Sequence, residues 1–132
     1  MRILLLISIV MLYEFISSSF GSVDQDAWIA PEATKNLINP IENNVQSVMA
    51  GKKIFDQQCW SCHGKSGLGD GPASRALKNK PADFSNINFQ NQKDGEIFWK
   101  ISEGRGEMAG YKNALKEEKR WQLVNYLRTI KK

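Results

Sequence analysis

Cys59, Trp60, Ser61, Cys62 and His63 set two thiols three positions apart, with an imidazole directly after the second, in a chain that has two cysteines and one histidine in all. On a helical turn, thiols at i and i+3 reach the two vinyl groups along one edge of a porphyrin, and the next side chain lies under the iron. The run therefore reads as a covalent haem attachment site. Cys59 and Cys62 tether one haem c and His63 is the proximal metal ligand, so attachment and ligation are one device. Zinc would lack a second ligand pair. A redox thiol pair would follow a strand in a βαβ unit, whereas Gly51 to Gln58 shows helical periodicity. A plain disulfide would not require His63.

The N-terminus reads as an export signal. Arg2 precedes the apolar run Ile3 to Tyr13; Glu14, Phe15, Ile16, three serines, Phe20, Gly21 and Ser22 follow. A basic start, a short apolar stretch and small residues predict a signal peptide over residues 1–21, cleaved near Gly21. A retained membrane anchor is the alternative, but Glu14 interrupts the stretch before the ~20 apolar residues that a span needs. Export, to the periplasm or the outer face of the cytoplasmic membrane, agrees with cysteine chemistry that belongs outside the cytoplasm. About 110 residues would remain, enough for one domain with a modest core to which a haem would add buried apolar area. The net charge of +4 survives cleavage, because Arg2 and Glu14 leave together. A mildly basic surface fits acidic protein partners. Dispersed bases and aromatics at core-like helical spacing argue against nucleic acid.

Beyond the signal, residues 22–46 form an irregular N-terminal arm with Pro31, Pro40 and isolated apolar anchors at Trp28, Ile29, Leu37, Ile38 and Ile41. An ordered arm wrapping the domain is expected; a flexible linker to the membrane is the alternative. Residues 47–132 form the main domain. A helix is predicted from Ser47 as N-cap toward Cys59, with Val48, Gly51, Phe55 and Cys59 on one face. Gly51 inside it predicts close approach of another helix. The last helix, Lys116 to Lys131, presents Leu123, Tyr126, Leu127 and Ile130, flanked by Trp121 and Val124. Asp94 is expected to cap a helix containing Ile97, Phe98, Trp99 and Ile101, stopped by Gly104. No alternating run argues for a sheet, so the fold class is all-α with long loops. The glycine-dense stretch Gly64 to Gly71 lacks the lysine-serine ending of a phosphate loop. It reads as backbone turning closely beside a flat cofactor.

The second axial ligand follows by elimination. No second histidine exists, so a six-coordinate iron needs Met, Lys, Tyr, an amine or an outside ligand; of four methionines Met1 and Met11 leave with the signal, while Met49 shares the helix that leads to the attachment motif. Met108 remains, between Gly104, Gly106 and Gly110, where a soft thioether suits low-spin iron. A surface methionine that merely packs is the other reading.

Taken together, these residues resemble the class I mono-haem cytochromes c of the small bacterial exported type. The resemblance spans Ser47 to Ile130 and rests on Gly51 and Phe55 ahead of C-x-x-C-H, Gly67 to Ala73, Pro81 to Phe84, Asp94 to Ile101, the Met108 loop, and Leu123 to Leu127. It implies a cytochrome c-like fold of three to five helices around one covalent haem, with Gly51 and Phe55 crossing Leu123 and Tyr126. It also implies an electron carrier rather than an enzyme. Redox proteins, including membrane respiratory complexes reached by peripheral membrane association, would be donor and acceptor, and Lys65, Lys112 and Lys116 would steer the encounter. A haem-based ligand-binding sensor and a haem subunit of a larger oxidoreductase are the alternatives. By the same analogy, a proline carbonyl, here Pro72, would orient His63, and Trp99 and Arg105 would reach a haem propionate. One departure stands out: Ala109 replaces the proline usual after the methionine, which frees a backbone φ there.

Overall fold

The computed structural model describes residues 27–131, so the expected signal peptide, with Met1 and Met11, lies outside the described residues. Among the described residues there are five α-helices: α1 Val45–Gln58, α2 Trp60–His63, α3 Ile87–Gln90, α4 Asp94–Glu103 and α5 Glu117–Leu127. Two 3₁₀ turns, Glu32–Asn36 and Ser74–Ala76, lie in the connections. One isolated antiparallel bridge, Arg105 with Met108, is the nearest approach to a sheet. The all-α class with long loops is what the sequence predicts.

Helix α1 starts earlier than expected, because Asn44 rather than Ser47 is its N-cap. The Asn44 side chain accepts from the Ser47 amide at 2.9 Å, and Ser47 Oγ accepts from the Asn44 amide at 3.2 Å. Two orphan amide donors of the first turn are thus satisfied reciprocally, which makes Ser47 the third helical residue of a capping box. The buried face carries Ser47, Gly51, Ile54 and Phe55.

That face crosses α5. A Cβ on Gly51 would stand 2.0 Å from the Gln122 carbonyl oxygen and 2.9 Å from Tyr126 Cβ, so only glycine lets the two backbones approach. The Phe55 ring, fully buried, lies 5.2 Å from the Tyr126 ring. Tyr126 is the expected partner; Gln122 takes the place expected of Leu123, since Gln122 and Tyr126, four residues apart, form the ridge that meets the glycine groove.

Helix α5 is shorter than the predicted span to Lys131 and has no single apolar stripe: every residue from Arg120 to Leu127 is buried. The reason is that elements pack on several sides of it. Helix α4 contributes Ile97 and Ile101 to the same core, and the Phe98 and Trp121 rings stack at 3.9 Å. Asn125 spends its amide on the chain ahead of α1. Its Oδ1 accepts from Asn39 at 2.7 Å, and its Nδ2 donates to Ser47 Oγ at 3.0 Å and to the Glu42 carbonyl at 3.3 Å. Beyond Leu127 the chain leaves the helix, and Gln90 Nε2 donates to the Leu127 and Ile130 carbonyls at 3.1 and 3.0 Å.

Asp94 is not the cap of α4 but its first residue. Lys93 is the N-cap, its amide donating to Glu96 Oε2 at 2.7 Å, while the Asp94 carboxylate accepts from Arg128 Nε at 2.7 Å. Gly104 ends α4 as expected, at φ +69°. The 3₁₀ turn Glu32–Asn36 lies against α4, where a Cβ on Gly95 would come within 2.0 Å of the Thr34 carbonyl oxygen. No helix of the described residues is long and apolar enough to cross a membrane.

Candidate functional site

Helix α1 ends one residue before the first cysteine. Cys59 turns the chain (φ −117°, ψ −34°), and its carbonyl accepts from the amides of Cys62 and His63 at 3.2 and 3.0 Å, which closes the single turn α2. Cys59 and Cys62 are thereby brought onto one turn as free, half-buried thiols, with His63 beside them. Burial, reinforced by Cys62, pushes the Cys59 thiol up to about 12.

The carbonyls that α2 leaves open are taken by the glycine-dense loop. Amides of Gly64, Ala73, Gly71 and Gly69 donate to the carbonyls of Trp60, Ser61, Cys62 and His63 at 2.8 to 3.1 Å. A Cβ on Gly71 would lie 2.4 Å from the Ser61 carbonyl oxygen, and one on Gly69 would lie 2.4 Å from that of Pro81. Both glycines therefore have protein backbone as close neighbours. Small residues are needed because two layers of backbone lie against the attachment turn.

His63 is positioned through its ring. Nδ1 lies 3.2 Å from the Ala82 carbonyl oxygen. A carbonyl can only accept, so Nδ1 carries the proton and the Nε2 lone pair is left for a metal. The Phe84 ring stacks on the imidazole at 4.4 Å and 20°. Burial lowers the pKa of His63 against the upward pull of the Ala82 hydrogen bond, which favours the neutral, ligating form. Pro72, the expected source of the orienting carbonyl, is instead exposed in the turn that Ser74 closes on Gly71. The Pro81–Ala82 segment takes the role because Gly69 lets it lie against the attachment turn.

Met108 sits half-buried in a hairpin beyond α4. Arg105 and Met108 exchange both backbone hydrogen bonds at 3.0 Å across Gly106 and Glu107. At the base, Gly104 packs so closely that a Cβ would lie 2.4 Å from the Met108 carbonyl oxygen. The returning strand is fixed by the Tyr111 amide on the Ile101 carbonyl at 2.9 Å, and Tyr111 Oη donates to the Gln58 carbonyl at 3.1 Å. Gln58 immediately precedes Cys59. The Tyr111 phenol is raised by burial first and by the nearby Cys59 and Cys62 thiols second, which sets the end of the hairpin beside the attachment turn. Met49, by contrast, is 66% exposed on α1.

Trp99 and Arg105 both turn to the arm. The Trp28 ring lies 6.4 Å from the Trp99 ring, with the Arg105 guanidinium 5.5 Å and the Lys100 ammonium 5.7 Å from it. Of the lysines proposed for steering, Lys65 lies 5.7 Å from the Trp60 ring centroid and Lys112 pairs with Glu103 at 3.3 Å.

Two free thiols on one turn and a neutral imidazole with Nε2 available fit a haem c. Among the described residues no three His, Cys, Asp or Glu side chains group to hold a metal ion by themselves. Sequence reading missed the ties around this centre. Ala82 acts through its backbone and leaves no side-chain signature. Tyr111 and Glu107 act on carbonyls and amides far away in sequence, a pairing that no local pattern encodes.

The comparisons with known proteins agree with this donor set. The family profile described as cytochrome c matches residues 48–131. Nothing among the curated proteins matches the chain. Among solved structures, the chain is similar to one from the Kuenenia stuttgartiensis reducing HAO-like protein complex Kustc0457/Kustc0458. There the TM-score is 0.66 with 27% identity, over 74% of this chain and 49% of that one, so the chain spans about half the length of that neighbour. It is also similar to the KustC0563 c-type cytochrome, with a TM-score of 0.55 and 31% identity over 62% of this chain and 98% of that one. The chain belongs to the cytochrome c family, whose haem c it holds covalently through Cys59 and Cys62.

Proposed function

We propose that the protein is an exported one-electron carrier of the class I type whose haem iron is held by His63 and Met108. Haem c supplies a one-electron ferric/ferrous couple. The observation that carries the reading is the Ala82 carbonyl on His63 Nδ1, which leaves the Nε2 lone pair available for iron beside two cysteines on the same turn. Met108 supports the other side. Among the described residues it is the methionine on a loop tied to the residue before Cys59, through Tyr111. A thioether opposite an imidazole favours a low-spin iron with little rearrangement between oxidation states, and it raises the reduction potential. The apolar run at residues 3–13 supports export to the periplasm or the outer membrane face. Lys65 puts a cation next to the attachment motif, which supports acidic redox partners, membrane respiratory complexes among them.

The spectrum of the purified holoprotein tests the ligands. The ferric form is expected to show the sulfur-to-iron charge-transfer band at the red end of the visible range, and Met108→Ala to abolish it with the haem still attached. His63→Ala is expected to remove the low-spin spectrum altogether. A wild-type protein without the band, spectrally unchanged by Met108→Ala, would overturn methionine ligation.

A second reading is favoured by the similarity to a chain of a multi-protein redox complex. In it, the protein is a haem module docked to a larger oxidoreductase. The native mass in the source membrane or periplasmic extract decides: a free monomer supports the shuttle, a stable high-mass complex the module.

A further inference from the structure

The tip of the methionine hairpin is joined by one carboxylate to the segment that orients His63. Glu107, immediately before Met108, accepts from two consecutive backbone amides. Lys78 N lies 2.8 Å from Oε2 and 3.1 Å from Oε1, and Asn79 N lies 3.3 Å from Oε2. Four residues after Lys78, the Ala82 carbonyl holds His63 Nδ1 at 3.2 Å. The stretch between is short and stiffened by the fixed φ of Pro81. Its far end is pinned where the Phe84 amide donates to the Gly67 carbonyl at 2.8 Å and where Pro81 lies against Gly69. Residues 78–84 therefore form a strap held at one end by Glu107 and at the other by the attachment loop.

The chemistry of the contact is specific. The Glu107 carboxylate engages backbone amides, although Lys78 and Lys80 stand in the same strap. Two adjacent amide vectors fix the orientation of a carboxylate in a way that a rotating ammonium does not, and charge-assisted bonds of this kind are stronger than neutral ones. Across the hairpin, the Arg105–Met108 bridge transmits that fixed position to the methionine backbone.

We propose that Glu107 is a positioning residue that sets the Met108 hairpin against the strap carrying the Ala82 carbonyl, so that one linkage holds both axial ligands. This rests on Met108 as the sixth ligand. The Glu107 carboxylate bonds to the Lys78 and Asn79 amides and not to either ligand's side chain; it acts through the Met108 backbone on one side and through Ala82 on the other.

The test uses the ferric and ferrous holoprotein with carbon monoxide as the probe of an open sixth position. In Glu107→Ala, amide exchange at Lys78 and Asn79 is expected to speed up about tenfold, as is the carbon monoxide on-rate, the change that loss of a charge-assisted bond gives. Exchange of the His63 Nδ1 proton is expected to accelerate and the ferric methionine band to weaken. Glu107→Gln keeps one acceptor and is expected to fall between, which a merely destabilised loop would not require. It also carries the test by itself if the alanine variant does not accumulate. Faster exchange at Lys78 and Asn79 with unchanged carbon monoxide binding and an unchanged band would show an anchored loop only and overturn the proposal. A wild-type protein lacking the methionine band, and indistinguishable from Met108→Ala, would instead overturn the ligand reading beneath it.

Discussion

Every carbonyl from Cys59 to His63 accepts a backbone amide, and every one of those amides lies within the next dozen residues. The Met108 hairpin is held otherwise. Beyond its own bridge and its anchorage to the end of α4, it reaches the remainder of the molecule through Arg105 at the Trp28 ring, Tyr111, 53 residues from Gln58, and Glu107, 28 and 29 residues from its two amides. The attachment turn is thus local and half-buried, with every carbonyl satisfied; the Met108 hairpin is held at its tip and its end by a few long-range contacts at the surface. Local openings take the region with few buried contacts first. The attachment side is expected to unfold only with the whole protein, and the methionine side to open by itself.

Adding a single carbon to the attachment side tests this most severely. In Gly71→Ala, the new Cβ would stand 2.4 Å from the Ser61 carbonyl oxygen and 2.7 Å from that of Cys62. Backbone cannot step aside as a flexible side chain can, so overpacking here is expected to cost about 3 kcal/mol, read as a lowered denaturant midpoint of the ferric holoprotein. Carbon monoxide binding to the ferrous folded protein should stay near the wild-type rate. Equal acceleration in this variant and in hairpin variants would break the distinction.

Tyr111→Phe makes the opposite cut. It removes the hydroxyl that donates to the Gln58 carbonyl at 3.1 Å and keeps the ring. Global stability is expected to fall by about 1 kcal/mol. Carbon monoxide entry is expected to rise several-fold, because the lost bond ties the hairpin to the attachment turn. Rapid-mixing kinetics of the ferrous protein measure it; an unchanged rate alongside the stability loss would move the tie from the hairpin to the general fold.

The same division explains how far the sequence could be read. Cys59, Cys62 and His63 are legible because tethering and ligation need those residue types at fixed short spacing. The Gly51 crossing was legible too, as a helix-interior glycine implies a close neighbour. Asn44 and Ser47 satisfy the same capping preference three residues apart, and only the reciprocal bonds decide between them. Pro72 and Ala82 offer the same kind of carbonyl, and only the path of the loop selects Ala82. Helix α5 has no single apolar stripe because elements on several sides bury its polar residues as well, Asn125 through four different partners.

Ala109→Pro is expected to have the smallest effect and to work in the opposite direction, tightening the looser side. No hydrogen bond is lost, since the Ala109 amide has no acceptor among the described residues. Met108 pairs with Arg105 in a β-bridge, the extended backbone that a following proline prefers. A proline that fits its site stabilises by about 0.4 to 1 kcal/mol, mainly by removing conformations from the open chain. If hairpin opening is what admits carbon monoxide, that energy slows entry by about two- to fivefold. The attachment side should not register the change, so the Gly71→Ala midpoint shift should be the same with or without the proline. A proline that leaves the rate unchanged while raising stability would mean that the hairpin closes on iron as a rigid unit, with its opening motion located in the strap at residues 78–84 instead.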